Sequence, residues 1–183
     1  VIPCVMELGG KSAGILFKDA DIDQAINSTA SGIFSHAGQV CSAQSRLIVP
    51  TALQDEVVSK MAAKAKSLSI GPGIDGHDLT PVISAQQADK IEGMCLAASQ
   101  AGAEAVSGGR KYSELPGHFI EPTVFANVAP DMTIAREEVF GPVLSVLTYD
   151  EPEEAIALAN GTDYGLCAGI YTKDLATAHW AAD

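Results

Sequence analysis

Short apolar runs alternate along the chain with longer stretches in which apolar residues recur at every third or fourth position. The short runs predict β-strands, and they lie at 13–17, 46–49, 103–107, 143–149 and 168–172. The longer stretches predict helices that bury one face, and they lie at 22–33, 57–68, 88–98, 153–160 and from Asp174 onward. Strands that alternate with helices predict an α/β domain with a largely parallel sheet and flanking helices.

Residues at the ends of these segments sharpen the boundaries. Asp19 and Asp21 are candidate N-caps of the first helix. The pair Ser84 and Gln87, spaced three residues apart, is typical of a capping box. Pro122 interrupts the apolar run Phe119–Phe125, so we expect an edge strand or an irregular strand there, because proline cannot donate a ladder hydrogen bond.

Composition and charge exclude several classes of protein. The chain is 47% hydrophobic and 19% charged, which is typical of a folded globular protein. Its net charge is −12, and its eleven Lys and Arg residues are scattered, which argues against nucleic acid and anionic membranes as partners. No apolar run approaches the ~20 residues that a membrane helix needs. The start resembles no signal peptide.

The four cysteines carry no metal-binding spacing. They are Cys4, Cys41, Cys95 and Cys167. None belongs to a C-x-x-C pair, so no metal site is predicted. Sparse, unpaired cysteines favour a reducing compartment, and we expect the protein in the cytoplasm. Cys4, Cys95 and Cys167 lie in apolar patterns and are expected to be buried structural residues.

Cys41 has a different setting, between the end of a predicted helix and the start of a predicted strand. Such connections display working groups on α/β scaffolds. A thiolate there can act as a nucleophile, since nearby backbone N–H groups lower a thiol pKa. Position alone nevertheless favours a small buried cysteine.

Two further segments contain carboxylates in unusual surroundings. Glu7 stands between Met and Leu and is followed by two glycines, although no G-x-G-x-x-G fingerprint is present. Glu138 precedes Phe140 just before a strand, where a carboxylate can bind ribose hydroxyls and a ring can pack on a flat ligand. Taken singly, each segment is compatible with an ordinary surface turn.

Together and in this order, the segments resemble the aldehyde dehydrogenase superfamily. The matching motifs are ELGGK at Glu7–Lys11, QVCSAQSR at Gln39–Arg46, FIEPTVF at Phe119–Phe125 and EEVFGPVL at Glu137–Leu144. The resemblance implies oxidation of an aldehyde to a carboxylic acid through a cysteine thiohemiacetal and thioester. It implies that Cys41 is the nucleophile and contributes its N–H to the oxyanion hole.

The resemblance also implies the other roles in the site. Glu7 activates the thiol, the hydrolytic water or both. NAD(P)⁺ is the implied cofactor, with NAD⁺ favoured. Its nicotinamide ribose is bound by Glu138, with Phe140 packed near the nicotinamide. Leu8 contacts the nicotinamide amide through its carbonyl, and Gln87 lies near the cofactor.

The resemblance covers residues 1–183 as a partial catalytic domain, with the NAD-binding domain mostly absent. The chain lacks an initiator Met and ends within a helical pattern, so we expect a piece of a longer enzyme, truncated at both ends. By itself the piece is expected neither to bind NAD well nor to turn over. The longer enzyme is expected to be a homodimer or homotetramer.

The substrate is expected to be a small aldehyde, and CSAQSR is most similar to the betaine aldehyde and aminoaldehyde branch. Succinate semialdehyde and aliphatic aldehydes stay open. Two other functions also stay open: a catalytically silent folding or oligomerisation module, and a thiol acyl-transfer or esterase enzyme without nicotinamide. The segment Glu138–Phe140 argues against the last, because a hydrolase has no use for a ribose-binding carboxylate.

Overall fold

A six-stranded sheet forms the centre of the computed structural model, which describes all residues from Val1 to Asp183. The strands are β1 (Ala13–Leu16), β2 (Arg46–Pro50), β3 (Glu104–Ser107), β4 (Thr123–Ala126), β5 (Val143–Tyr149) and β6 (Ala168–Tyr171). Their order across the sheet is β3-β4-β5-β2-β1-β6, and every pair is parallel except β3–β4. The predicted α/β fold with a largely parallel sheet is therefore confirmed.

Helices cover the sheet, as expected where parallel strands must be buried on both faces. They are α1 (Ile22–Phe34), α2 (Gln54–Lys66), α3 (Ala85–Gln100), α4 (Thr133–Arg136), α5 (Pro152–Asn160) and α6 (Leu175–Ala182). The crossover from β1 to β2 and the crossover from β5 to β6 run in opposite directions along the sheet, so right-handed connections place α1 and α5 on opposite faces. No helix is long and apolar enough to cross a bilayer.

The middle of the sheet contains the most deeply buried residues. β2 and β5 pair over five positions, from Arg46 opposite Ser145 to Pro50 opposite Tyr149. Leu47 and Leu144 are fully buried there, in a core of 37 buried residues. A near-continuous Val, Ile and Leu run is what a strand covered on both faces requires.

Three local predictions need correction. β4 is not an edge strand: it lies between β3 and β5, because Pro122 falls just before the strand, where no ladder N–H is needed. The edge position is taken by β3, and its pairing with β4 shifts register between Ala105 and Ser107.

Asp21 caps α1 by accepting a hydrogen bond from the Gln24 N–H at 3.0 Å, as predicted, but Asp19 does not. The Asp19 carboxylate instead accepts from the Thr172 hydroxyl and from two backbone N–H groups of the loop after β6. Ser84 caps α3 through the Gln87 N–H at 3.2 Å, yet the Gln87 amide does not complete the capping box. Its amide reaches two carbonyls about fifty residues later.

The predicted site segments meet at one edge of this sheet. Residues 7–12 precede β1, residues 39–45 precede β2, residues 137–142 precede β5, and residues 164–167 precede β6. Because these four strands are parallel, the segments before them converge at the amino edge. Open α/β sheets commonly bind ligands at the carboxyl ends of their strands, so this site lies at the opposite edge.

Candidate active site

A cleft of about 850 Å³ opens at the amino edge of the sheet. Five of the residues singled out in the sequence line it: Glu7, Leu8, Cys41, Glu138 and Phe140. They come from three segments that are far apart in the chain. The fold thus brings the candidate nucleophile, the candidate base and the candidate cofactor-binding residues to one cavity.

Cys41 is half-buried and stands three residues beyond an unusual turn. After α1 ends, His36, Ala37 and Gly38 all have left-handed backbone conformations, with φ values of 51°, 54° and 70°. This conformation costs roughly 1–2 kcal/mol for a residue with a β-carbon. A β-carbon at Gly38 would also collide with the carbonyl of Gly141, so the loop that carries Cys41 packs directly on the EEVFG segment. The strain is held in place by surrounding packing.

Gln39 fixes the same loop from the other side. Its Oε1 accepts a hydrogen bond from the Ile83 N–H at 2.9 Å, and its Nε2 donates to the His36 carbonyl at 3.2 Å. The loop is therefore bound to the segment that precedes α3. No local signal in the sequence indicates this role of Gln39, because its partner Ile83 lies 44 residues away.

Glu7 and Leu8 lie on the exposed segment that precedes the glycine pair. Glu7 lines the cleft together with Cys41, and the Leu8 side chain is 66% exposed beside it. The segment is thus placed so that a carboxylate and a backbone carbonyl border the space in front of the thiol. Their roles in activation and in nicotinamide binding stay predictions.

Gly10 is the point where three motifs meet. Its N–H donates to Glu138 Oε1 at 3.0 Å. A β-carbon at Gly10 would stand 2.5 Å from the Cys41 carbonyl oxygen, well inside van der Waals contact. Only glycine permits this approach. The ELGGK segment is therefore the physical link between the nucleophile loop and the Glu138 carboxylate.

Phe140 is half-buried at the cleft and has a φ of 54°, which is unusual for a bulky residue. Gln87 stabilises this turn, because its Nε2 donates to the carbonyls of Val139 at 3.0 Å and Phe140 at 2.9 Å. Gln87 does not itself line the cleft. Its predicted place near the cofactor stays a prediction, and the structure adds a contact that orients Phe140.

Arg46, at the end of the cysteine motif, is a buried cation with satisfied donors. It is 3% exposed, and it donates to the carbonyls of Lys11, Leu158 and Ala159 at 2.9, 2.7 and 2.8 Å. The last two are the terminal carbonyls of α5, where the helix dipole favours a positive charge. Burial lowers the Arg46 pKa to about 10, which still leaves the guanidinium charged.

Lys11 is a second buried cation at this edge. It is 2% exposed, and its Nζ has no hydrogen-bond partner in the protein. Burial above all, and then the Arg46 charge, lower the pKa of Lys11 to about 7, while Glu138 and Glu137 act in the opposite direction. Lys11 is part of the ELGGK motif, and no pattern in the sequence reveals that its amine is buried.

The burial of the other three cysteines agrees only in part with the prediction. Cys95 is buried in α3, as expected, and burial raises the pKa of its thiol to about 12. Cys4 and Cys167 are exposed, so the prediction that they are buried is wrong. Cys4 lies in the extended first segment, and Cys167 lies in the loop just before β6, where its Sγ donates to the Ser42 carbonyl at 3.4 Å.

Comparison with known proteins agrees with this geometry. The model of the aldehyde dehydrogenase family matches residues 1–183. Betaine aldehyde dehydrogenase of Cereibacter sphaeroides is 43% identical over 175 residues, which cover 95% of this chain and 36% of that protein. Betaine aldehyde dehydrogenase of Bacillus subtilis is 42% identical over 174 residues, with 93% and 36% covered.

Solved structures give the same result. An NAD⁺ complex of Bacillus cereus aldehyde dehydrogenase superposes with a TM-score of 0.93 at 40% identity, covering 96% of this chain and 36% of that one. An NAD⁺ complex of Staphylococcus aureus betaine aldehyde dehydrogenase has a TM-score of 0.93 at 39% identity, with the same coverage. The chain spans about 36% of the length of these relatives. Its sequence, its fold and its amino-edge cleft together show that the chain belongs to the aldehyde dehydrogenase family.

Proposed function

We propose that the native polypeptide containing this chain oxidises an aldehyde to the carboxylic acid with NAD(P)⁺, and that Cys41 is its nucleophile. One observation carries the proposal: a single cleft is bordered by a half-buried thiol, two carboxylates and an aromatic ring from three separated segments. Residues 1–183 are then part of the catalytic domain, and the rest of the cofactor site lies elsewhere in the polypeptide.

The residues of this chain supply the covalent chemistry. The Cys41 thiolate attacks the aldehyde carbon, and the Cys41 N–H stabilises the oxyanion that forms. Bound NAD(P)⁺ would supply the hydride acceptor that the conversion of this adduct into an acyl thioester requires. Glu7 takes the proton of the thiol or of the water that hydrolyses the thioester, which releases the acid and regenerates the Cys41 thiolate.

The residues at the cleft fit the cofactor. Glu138 uses Oε1 to accept from Gly10, which leaves Oε2 as an acceptor for a ribose hydroxyl. Phe140 offers an aromatic ring beside it, and the Leu8 carbonyl is the acceptor proposed for the nicotinamide amide. NAD⁺ is favoured over NADP⁺, because the related enzymes named above were solved with NAD⁺.

Among aldehydes we propose betaine aldehyde or a related aminoaldehyde. The relatives that carry the name betaine aldehyde dehydrogenase support this, together with the CSAQSR segment. Comparing kcat/KM for betaine aldehyde, succinate semialdehyde and propanal tests it. We also propose that the native polypeptide forms a homodimer or homotetramer and is located in the cytoplasm. The four free cysteines support the cytoplasmic location.

The decisive experiment replaces the nucleophile in the native polypeptide. We expect Cys41→Ala to lower NAD-dependent aldehyde oxidation by about 10³-fold or more, since removing a nucleophile removes the covalent route. Mass spectrometry after alkylation should show an adduct on Cys41 in the unmodified protein. Cys167→Ala is the matched control, because it removes an exposed thiol at the same edge. Retained activity in Cys41→Ala would overturn the proposal, and the absence of any adduct on Cys41 in the unmodified protein would favour a silent structural module.

A further inference from the structure

Lys11 and Arg46 are the two buried cations at the amino edge, and only the Lys11 amine lacks a hydrogen-bond partner. The Lys11 side chain is 2% exposed, and its Nζ has no partner, as is also true of Ser12 Oγ beside it. A buried charge of this kind needs compensation from nearby negative charge. Buried polar atoms without partners are rare, so each one indicates a role or a contact still to be made.

The charged groups around Lys11 show which side chains can offset the positive charge of its amine. Arg46 is positive and is already saturated by three backbone carbonyls. Lys90 is also positive, and its Nζ donates to the Glu138 carbonyl at 3.0 Å. Negative charge comes from the Glu137 and Glu138 carboxylates, which act on the Lys11 amine electrostatically.

The backbone holds these groups together. Gly10, the residue directly before Lys11, donates its N–H to Glu138 Oε1 at 3.0 Å. The Tyr164 hydroxyl lies 3.5 Å from Glu137 Oε2, and Tyr164 lines a cavity of about 230 Å³ that also reaches Lys11 and Ser12. This cavity is large enough for water molecules that would hydrogen-bond the Lys11 amine and the Ser12 hydroxyl.

We propose that Lys11 is a positioning residue: its buried ammonium draws the Glu137–Glu138 turn toward the amino edge and so fixes the Glu138 carboxylate for the ribose of NAD(P)⁺. This inference rests on the proposed function. A single hydrogen bond from Gly10 leaves the carboxylate free to rotate, whereas a fixed charge behind it restricts the orientation. In this role Lys11 contacts neither substrate nor cofactor, and it acts through Glu138.

The charge of Lys11 changes near neutral pH, so the proposed role predicts an affinity for NAD⁺ that depends on pH. Burial and the Arg46 charge lower the Lys11 pKa to about 7, so the amine is protonated below that pH and neutral above it. NAD⁺ should therefore bind more weakly as the pH rises from 6 to 8.5. The other ionisable side chains at these two cavities include Cys167 and Tyr164 beside Lys11 and His36 across the cleft.

The test measures the Kd of NAD⁺ by calorimetric titration of the native polypeptide at pH 6 and pH 8.5. Lys11→Met should raise Kd about tenfold at pH 6 and much less at pH 8.5. Lys66→Met, an exposed lysine of α2, is the matched control and should change neither value. His36→Asn should keep the pH dependence, and Asn tolerates the left-handed backbone there.

Two further measurements of Kd require no substitution at Lys11. The unmodified protein should show the pH dependence of Kd, and Glu138→Gln should abolish it, because the amine then has no carboxylate to orient. A pH-independent Kd in the unmodified protein, or a Kd that Lys11→Met leaves unchanged at pH 6, would overturn the inference. If the unmodified protein bound no NAD⁺ at all, the proposed cofactor and this inference would both fall, while alkylation of Cys41 would still test the nucleophile.

Discussion

The centre of the sheet and its amino edge are built from the same strands but contain very different groups. In the centre, β2 and β5 pair through Leu47, Ile48, Val146 and Leu147, all of them buried and apolar. At the amino edge, the segments before four of the strands, together with the first residue of β2, contain two thiols, three carboxylates and two buried cations. The centre satisfies its backbone through the ladder, whereas the edge keeps left-handed residues and an amine without a partner.

This difference separates stability from function within one sheet. A core residue contributes through burial and close packing, so its loss is felt by the whole fold. Residues at the edge are held in costly conformations by the rest of the structure, as functional sites often are. Changes in the centre should therefore lower stability and spare the site, and changes at the edge should do the reverse.

The largest stability effect should come from the centre. Leu47→Ala removes a fully buried side chain of β2, and we expect it to lower the free energy of unfolding by about 2–5 kcal/mol. Denaturant titration of the native polypeptide measures this. At a temperature where the variant stays folded, alkylation of Cys41 should proceed at an unchanged rate. A large change in that rate would show that centre and edge are not separable.

Lys11→Met should alter stability in a pH-dependent way. The folded pKa of about 7 lies below the ordinary value of 10.5, so the unfolded chain binds more protons between these pH values. The free energy of unfolding is therefore highest, as far as Lys11 affects it, above pH 10.5. It falls as the pH falls toward 7. Each pKa unit corresponds to about 1.4 kcal/mol, so the loss amounts to a few kcal/mol.

Unfolding curves at pH 6 and pH 9.5 check this expectation. Lys11→Met should be more stable relative to the unmodified protein at pH 6 than at pH 9.5. Lys66→Met serves as the control, because its side chain is exposed. A stability difference that does not change with pH would mean that the amine is not a buried titrating group.

Gln87→Leu should have the smallest effect on stability and a clear effect on the site. It removes two hydrogen bonds to the carbonyls of Val139 and Phe140, which together should cost about 1–3 kcal/mol. Because those bonds hold Phe140 at its left-handed φ, we expect weaker NAD⁺ binding, measured by titration. Gln86→Leu, an exposed neighbour on α3, is the control. Equal binding in both variants would contradict a role for Gln87 at this turn.

Much of the architecture could be predicted from local patterns. The strand at 143–149 and the helix begun by Pro152 were predicted where the structure has them, because apolar periodicity and end signals are local properties. Pro122 shows the limit: proline signals a break in the ladder, yet only the position of the strand relative to it decides whether the strand is an edge.

The candidate site shows the same division. The order of the ELGGK, cysteine and EEVFG motifs predicted the family, because residue identity and spacing along the chain are properties of the sequence alone. The resemblance also predicted the site residues that line the cleft, which are Cys41, Glu7, Leu8, Glu138 and Phe140. The partners of Gln39, Gln87 and Asp19 lie 44 to 155 residues away, and sequence spacing contains no information on such contacts.

The sequence by itself thus determined the fold class, the family and the candidate residues for the chemistry. Only the tertiary structure decided that these residues meet at the amino edge, since that follows from four parallel strands entering the sheet side by side. It also decided that the Arg46 guanidinium is hydrogen-bonded to carbonyls at the end of α5, while the Lys11 amine has no partner. Burial and charge compensation depend on what surrounds a side chain in space, and neighbours in space are set by the fold.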